Sequence, residues 1–454
     1  MTTPRDTTPK STTPSPFLFA IALRPLQAFF RLEAASGLVL LGCAVVALAW
    51  ANLAFDSYQR VFATPVTIGI GVAVARFSLL DLVNDGLMAL FFFVVGMEIK
   101  RELVHGELRN PSQAALPAIA ALGGMLVPAA IFLAFNAGGP GAPGWGIPMA
   151  TDIAFCIGVL TLLKHRVPHA LIVFVTALAI FDDIGGILVI ALFYGAGIHG
   201  GWLLAAAAVG AGAFAMSRAH VRSAAAWAMV GALLWYALHH SGIHATISGV
   251  ILGLAVPASP VRRSRDVIRE LSAHAGELAR AADDDEADEA AVHGIEERLE
   301  ELEAPLTRFV HALHPWIAFG VMPLFALANS GVHLAALDAS QVTGRVAVGT
   351  GVALFVGKQA GIFAFTVAAV MSGLARIPGG ASRLKLLGVS VVAGIGFTVA
   401  LFIAGLAYAG APRLLDEAKV GILVGSLASG VVGTLILRAT APLRAGVRAE
   451  GDSG

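Results

Sequence analysis

The chain has 454 residues, of which 57% are apolar and only 13% charged, with a mean hydropathy of +0.80. Lipid rather than water is the solvent for such a composition, which excludes a soluble globular chain. Formal net charge is zero, so the overall balance points to no nucleic-acid partner. The two cysteines, Cys43 and Cys156, both fall in apolar stretches and support neither a disulfide framework nor a thiolate metal site.

In chain order, residues 1–16 (MTTPRDTTPKSTTPSP) are rich in Thr, Pro and Ser and read as a disordered tail, not as a cleavable signal peptide. Residues 17–34 mix Phe and Leu with Arg24, Arg31 and Glu33, the pattern of an interfacial amphipathic helix leading into a first crossing. A hydrocarbon core about 30 Å thick needs roughly 20 apolar residues per helical crossing. The alternating blocks of barrel strands are absent, so an all-α polytopic membrane protein follows. Twelve spans are predicted, near 35–53, 80–100, 113–135, 145–163, 168–194, 200–217, 223–238, 241–257, 311–331, 346–373, 384–409 and 417–437. The region 17–257 thus carries eight of them and 311–440 the other four.

Three segments interrupt or follow this series. Residues 61–76 (VFATPVTIGIGVAVAR) are β-branched and broken by Gly, which predicts an extracytoplasmic β-hairpin. Its open edges could pair with a second copy, so a homodimer is expected. Residues 258–310 pass from basic VRRSRDVIR to acidic DDDEADE and EERLEELE, a solvated cytoplasmic loop, and 441–454 form a cytoplasmic C-terminal tail. With the N-terminus placed inside, 24 of the 30 basic residues fall on the cytoplasmic side. Only Arg60, Arg76, Arg345, Arg413 and Lys419 fall outside, and Lys358 is left in mid-membrane. That bias predicts an even number of crossings with both termini in the cytoplasm.

Charges within the spans carry the functional argument, because an ionised side chain at the bilayer centre costs at least about 2.5–3.5 kcal/mol. Asp182 and Asp183 lie mid-span in ALAIFDDIGGILVIALF, Asp152 in PMATDIAFCIG and Lys358 in ALFVGKQAGIF. Adjacent helical positions diverge by about 100°, so Asp182 and Asp183 cannot point alike; one can meet a base while the other meets a water-filled funnel. Lys358 is the base available. A carboxylate that holds either a proton or a small hard cation, but not both, couples the two fluxes by competition, and oxygen ligands suit Na⁺ and Li⁺. For Asp152 two roles stay open, compensation of a helix-end dipole and contact with the ion. Pro148 and Thr151 in GIPMATDIAFCIG, and Gly394 and Gly396 in AGIGFT, predict two broken helices. Unwound backbone at membrane depth survives only where protein or a cavity covers it, so the two breaks point to a site.

Other readings of buried acids compete with exchange. An intramembrane aspartyl protease normally draws its two acids from two helices. A proton- or sodium-coupled organic-solute carrier on a similar bundle needs a roomy polar pocket, and a passive channel has no need of the buried lysine. The residues therefore favour a transporter over an enzyme.

The motifs NDGLMALFFFVVGMEIKREL (84–103), ATDIAF (150–155), FDDIGG (181–186), SGIHATISGV (241–250), HPW (314–316), PLFALANSGV (323–332), GKQAGI (357–362) and GIGFT (394–398), in this order and spacing, resemble those of the NhaA family of sodium/proton antiporters. The resemblance covers about residues 20 to 440. It implies twelve helices in which spans three to five and ten to twelve are related by inverted topology, with the fourth and eleventh broken where they cross. It implies that Asp182 and Asp183 bind Na⁺, Li⁺ and protons, that Thr151 and Asp152 neighbour the site, and that Lys358 pairs with Asp182. Activity in such a protein is electrogenic export of Na⁺ or Li⁺ across the bacterial inner membrane, activated at alkaline pH and without a cofactor.

The resemblance also places a pH-responsive cluster at Glu98, Arg101 and Glu102 and an entrance acid at Asp85. His244 is a further candidate for pH tuning, since imidazole titrates in the physiological range. Three features depart from the family pattern: Val310 where a glutamate is usual, Gln359 where a proline follows the lysine, and a long charged insertion at 260–303.

Overall fold

The structure, a computed structural model, describes residues 16–70, 73–195, 197–259 and 304–442. The tail expected before residue 16, the charged stretch 260–303 and the tail from 443 onward lie outside the described residues.

Helix α1 runs unbroken over Pro16–Leu53, with its membrane-capable part at Ala35–Leu53, so residues 17–34 are helical and continuous with the first crossing. Helix α2 (Phe55–Phe62) follows and takes up Val61 and Phe62, which were expected in the hairpin. The antiparallel strands β1 (Pro65–Ile70) and β2 (Ala73–Ser78) pair from Pro65↔Ser78 to Ile70↔Ala73. Ser78 then caps α3 (Leu79–His105) through a reciprocal pair with Asp81, Asp81 N–H donating to Ser78 Oγ at 3.0 Å and Ser78 N–H to Asp81 Oδ2 at 2.9 Å. Asn110 caps α4 (Pro111–Asn136), which has proline in its first turn, where no amide is needed.

The next crossing is broken. A 3₁₀ segment, Ala142–Met149, gives way to extended backbone at Ala150 and Asp152, and α5 (Ile153–Leu162) starts with Asp152 as its N-cap. Helices α6 (His169–Phe193), α7 (Gly200–Arg218), α8 (Ala224–Ser241) and α9 (Ile247–Ala255) complete the first half. The second half holds α10 (Pro305–Asn329), α11 (Arg345–Met371), α12 (Arg383–Val392), α13 (Phe397–Ala407) and α14 (Pro412–Ala439). Because α10 begins at Pro305, residues 305–310 are helical and do not belong to the charged loop.

Among the described residues nine helices are long and apolar enough to cross a membrane, or ten when α12 and α13, bent by 46° at a short break, count as one. The protein is therefore a mostly helical, multi-pass membrane protein. Helices α8 and α9 are predicted spans outside that number. Nine residues of α9 rise only about 14 Å, under half of a hydrocarbon core. Gly242, at φ +86°, ends α8 in a left-handed turn. What α9 lacks in length it gains in packing: Gly249 and Gly253 let it lie directly on the α3 backbone, where a Cβ would collide with Ala89 O and Phe93 O respectively.

The two breaks touch each other at the centre of the molecule. Asp152 N–H donates to Ile395 O at 2.7 Å, and Thr151 Oγ1 to Ala393 O at 3.1 Å. These bonds consume backbone groups that no helix satisfies, which is how the unwound turns persist away from water. Helix α14 supplies a third wall, with Ser426 Oγ accepting from Gly396 N–H at 3.3 Å.

Candidate functional site

Five ionisable or hydroxyl groups expected at the site converge on these breaks, and all are buried: Thr151, Asp152, Asp182, Asp183 and Lys358. Position on α6 separates the two adjacent acids. Asp182 turns toward α11, where its Oδ2 accepts from Lys358 Nζ at 2.8 Å and from Thr151 Oγ1 at 2.6 Å. Its other oxygen, Oδ1, is buried without a hydrogen-bond partner. The lysine also donates to Met149 O, at the end of the 3₁₀ segment, and reaches toward Gly124 O at 3.5 Å. A π-helical turn, Ala353–Lys358, sets the register that brings Lys358 there. Such one-turn widenings inside α-helices are frequent at functional sites.

Asp183 turns the other way, into a cavity of about 80 Å³ whose wall also includes Glu98, Thr151, Asp152, His314 and Thr398. Three carboxylates thus line the space, and among the described residues neither Lys nor Arg does. Asp183 accepts no hydrogen bond among the described residues, whereas Asp152 is saturated: Oδ1 accepts from Phe155 N–H at 3.2 Å, and Oδ2 from Thr398 N–H at 3.0 Å and Thr398 Oγ1 at 2.6 Å. At about 30 Å³ per molecule, the cavity has room for two or three waters or one partly dehydrated cation.

Of the remaining expected residues only Glu98 lines the cavity, with Arg101 and Glu102 near enough to act on its charge. Glu98 shares the cavity with Asp183, but Arg101 and Glu102 do not line it; their closest ionic approach to each other is 3.9 Å, at the partly exposed end of α3. Asp85 lies in a π-helical turn at the opposite end of α3, where its carbonyl accepts from Trp235 Nε1 at 3.1 Å. His244 sits outside the cavity wall with its ring edge-on to Phe402 at 5.9 Å and its buried Nδ1 unbonded. Val310, at the position where the family carries glutamate, is packed into the core at 2% exposure. Two participants were not singled out from sequence. Thr398 lies in the quoted GIGFT motif, where a hydroxyl amid apolar neighbours was a usable signal. The carbonyl of Met149 acts through the backbone and leaves no trace in residue type.

Comparison with known proteins identifies the family. A family model described as Na+/H+ antiporter 1 matches residues 27–437. A curated relative from Anaeromyxobacter sp. (strain Fw109-5), the Na(+)/H(+) antiporter NhaA, is 67% identical over 96% of this chain and 95% of its own. The Na(+)/H(+) antiporter NhaA 1 of Myxococcus xanthus is 57% identical over 94% and 95%. The corresponding protein of Rhodopirellula baltica is 47% identical over 92% and 95%. With the family match running through both breaks and every buried charge described above, this chain belongs to the NhaA family of sodium/proton antiporters.

Proposed function

We propose that the chain is a secondary transporter that exports Na⁺, and Li⁺ with it, in electrogenic exchange for protons, and that Asp183 is the carboxylate for which cation and proton compete. The observation that carries this reading is the cavity at Asp183, walled by three carboxylates and with neither Lys nor Arg among the described residues that line it. Asp182, neutralised by Lys358 and Thr151, is the second acid of the site, and its unpartnered Oδ1 is the atom left to meet an ion or a proton. The organic-solute carrier finds no such support, since pockets for small organic ligands run to roughly 300–1,000 Å³.

In this reading the twelve predicted spans all cross the membrane, α9 doing so together with the turns that flank it. The segments containing Asp152 and Gly396 are the broken fourth and eleventh helices of an inverted repeat. The basic-residue bias supports cytoplasmic termini in a bacterial inner membrane, and the open edges of the β1–β2 hairpin support a homodimer. Glu98 is the member of the pH-responsive set best placed to act directly, since it shares the cavity with Asp183; Arg101, Glu102 and His244 act through it or through helix packing. Asp85, at the far end of α3, serves the opposite entrance.

The test uses everted vesicles energised by respiration. Addition of Na⁺ or Li⁺ should dequench a pH-sensitive dye with the wild-type chain and fail to do so with Asp183→Asn. Wild-type dequenching by that variant overturns the assigned role.

A further inference from the structure

The cavity at Asp183 is bounded in part by α3 and α10. Glu98 and His314, on α3 and α10, line it. Across Asp182 the path toward the face where α4 and α13 end is filled by an apolar cluster. Ala129, Met149 and Val189 are packed there with Met125, Trp145 and Tyr194. The 3₁₀ segment Ala142–Met149 is the backbone of this plug, and its last carbonyl, Met149 O, is the acceptor for Lys358.

Two tyrosines hold the other end of that segment. Tyr194, the C-cap of α6, donates its hydroxyl to Pro143 O at 2.7 Å and accepts from Gly146 N–H at 3.3 Å. Tyr408, the C-cap of α13, donates to Gly141 O at 2.7 Å and is 3% exposed. Sequence has shaped the segment to receive both. A Cβ on Gly144 would overlap the Tyr408 hydroxyl, and one on Gly146 would come within 2.9 Å of the Tyr194 hydroxyl. The two rings rise from different helices, one on each half of the chain. They are three bonds from both halves to the segment that closes the site.

We propose that Tyr194 and Tyr408 form a latch that keeps the site shut toward the face where α6 and α13 end, and that opening to that face requires these hydrogen bonds to break. The proposal rests on the exchange reading and adds to it which groups set the balance between the two openings. They are positioning residues: neither touches Asp182, Asp183 or an ion. Their link to the chemistry runs through the 3₁₀ segment to Met149 O and Lys358. A latch biases a population, and apparent affinity from each side scales with the fraction of molecules open to that side. Loss of one buried hydrogen bond shifts such a balance on the order of fivefold.

The experiment measures Na⁺-driven proton movement in vesicles of both orientations. A cysteine introduced at Ile198, which is 73% exposed beside the latch, reports by impermeant labelling which preparation presents the latch face to the bath. In Tyr194→Phe/Tyr408→Phe, the apparent KM for Na⁺ added at the latch face should fall on the order of fivefold or more. The KM at the opposite face should stay constant or rise. A tyrosine that merely stabilises the fold would lower the maximal rate or the folded yield without this asymmetry. If the double variant does not fold, each single Phe variant should show the same asymmetry at a smaller size. Equal KM values at both faces, or shifts of the same sign, overturn the latch. Absence of Na⁺-driven proton movement with the wild-type chain instead overturns the exchange reading beneath it.

Discussion

Removing Lys358 should cost more than removing its partner, because the two groups are unequally provided for. At 2.8 Å the pair is worth about 6 kcal/mol of attraction at an effective dielectric constant of about 20, before the cost of taking both charges out of a polar environment. Both side chains are fully buried. In Lys358→Ala the Asp182 carboxylate keeps only Thr151 Oγ1, and its Oδ1 is already bare. A buried charge stripped of its counter-charge costs about 3–5 kcal/mol. In Asp182→Asn the ammonium keeps Met149 O and the longer reach to Gly124 O, and the amide can still accept from Thr151, so a loss of about 2–3 kcal/mol is expected. The double change Asp182→Asn/Lys358→Ala removes both charges and should recover at least about 2 kcal/mol of the summed single losses. Thermal unfolding of the purified chains in detergent measures all four corners of the cycle. Additive losses, or a Lys358→Ala variant as stable as the parent, would refute the claim that this ion pair organises the site.

Asp152→Ala should lower stability by about 3–5 kcal/mol, the sum of one helix cap and two charge-assisted bonds from Thr398, and Asp152→Asn should recover part of it; midpoints in the same unfolding assay decide this. If one proton and one cation contend for Asp183, the apparent KM for Na⁺ should rise about tenfold for each unit by which pH falls on the acid side, with the maximal rate at saturating Na⁺ changing far less. Dequenching across a pH series at several Na⁺ concentrations shows whether KM or rate carries the pH dependence.

The crossings were legible because lipid imposes one rule on every span: about 20 apolar residues with polar punctuation at each end. Where that rule fails, a different force decides. Residues 241–257 are apolar enough to read as one crossing, yet Gly242 turns left-handed and helix resumes only at Ile247. The glycines that seat α9 on α3 give no hydropathy signal. The opposite orientation of Asp182 and Asp183 follows from the 100° step of a helix, but which acid meets Lys358 depends on the π-turn in α11, a backbone register that residue types do not encode. Arg101 and Glu102 were grouped with Glu98 by motif. One turn of helix is enough to leave them outside the cavity.

Sequence left two roles open for Asp152, dipole compensation and ion contact, and the hydrogen bonds weigh between them. Its carboxylate receives amides from the first turns of two half-helices, Phe155 N–H in α5 and Thr398 N–H in α13. Each helix end presents roughly half a positive charge, so one carboxylate balances two facing ends, and both of its oxygens are engaged. A cation coordinated at Asp152 would compete with three donors for the carboxylate's four or so lone-pair sites, at a cost of about 1–3 kcal/mol for each donor it stranded. Asp183 carries no such obligation and Asp182 has one oxygen to spare. Under the proposed exchange the three acids divide the work by what already holds them: Asp152 fastens the crossing, Asp182 answers to Lys358, and Asp183 is left for the ion.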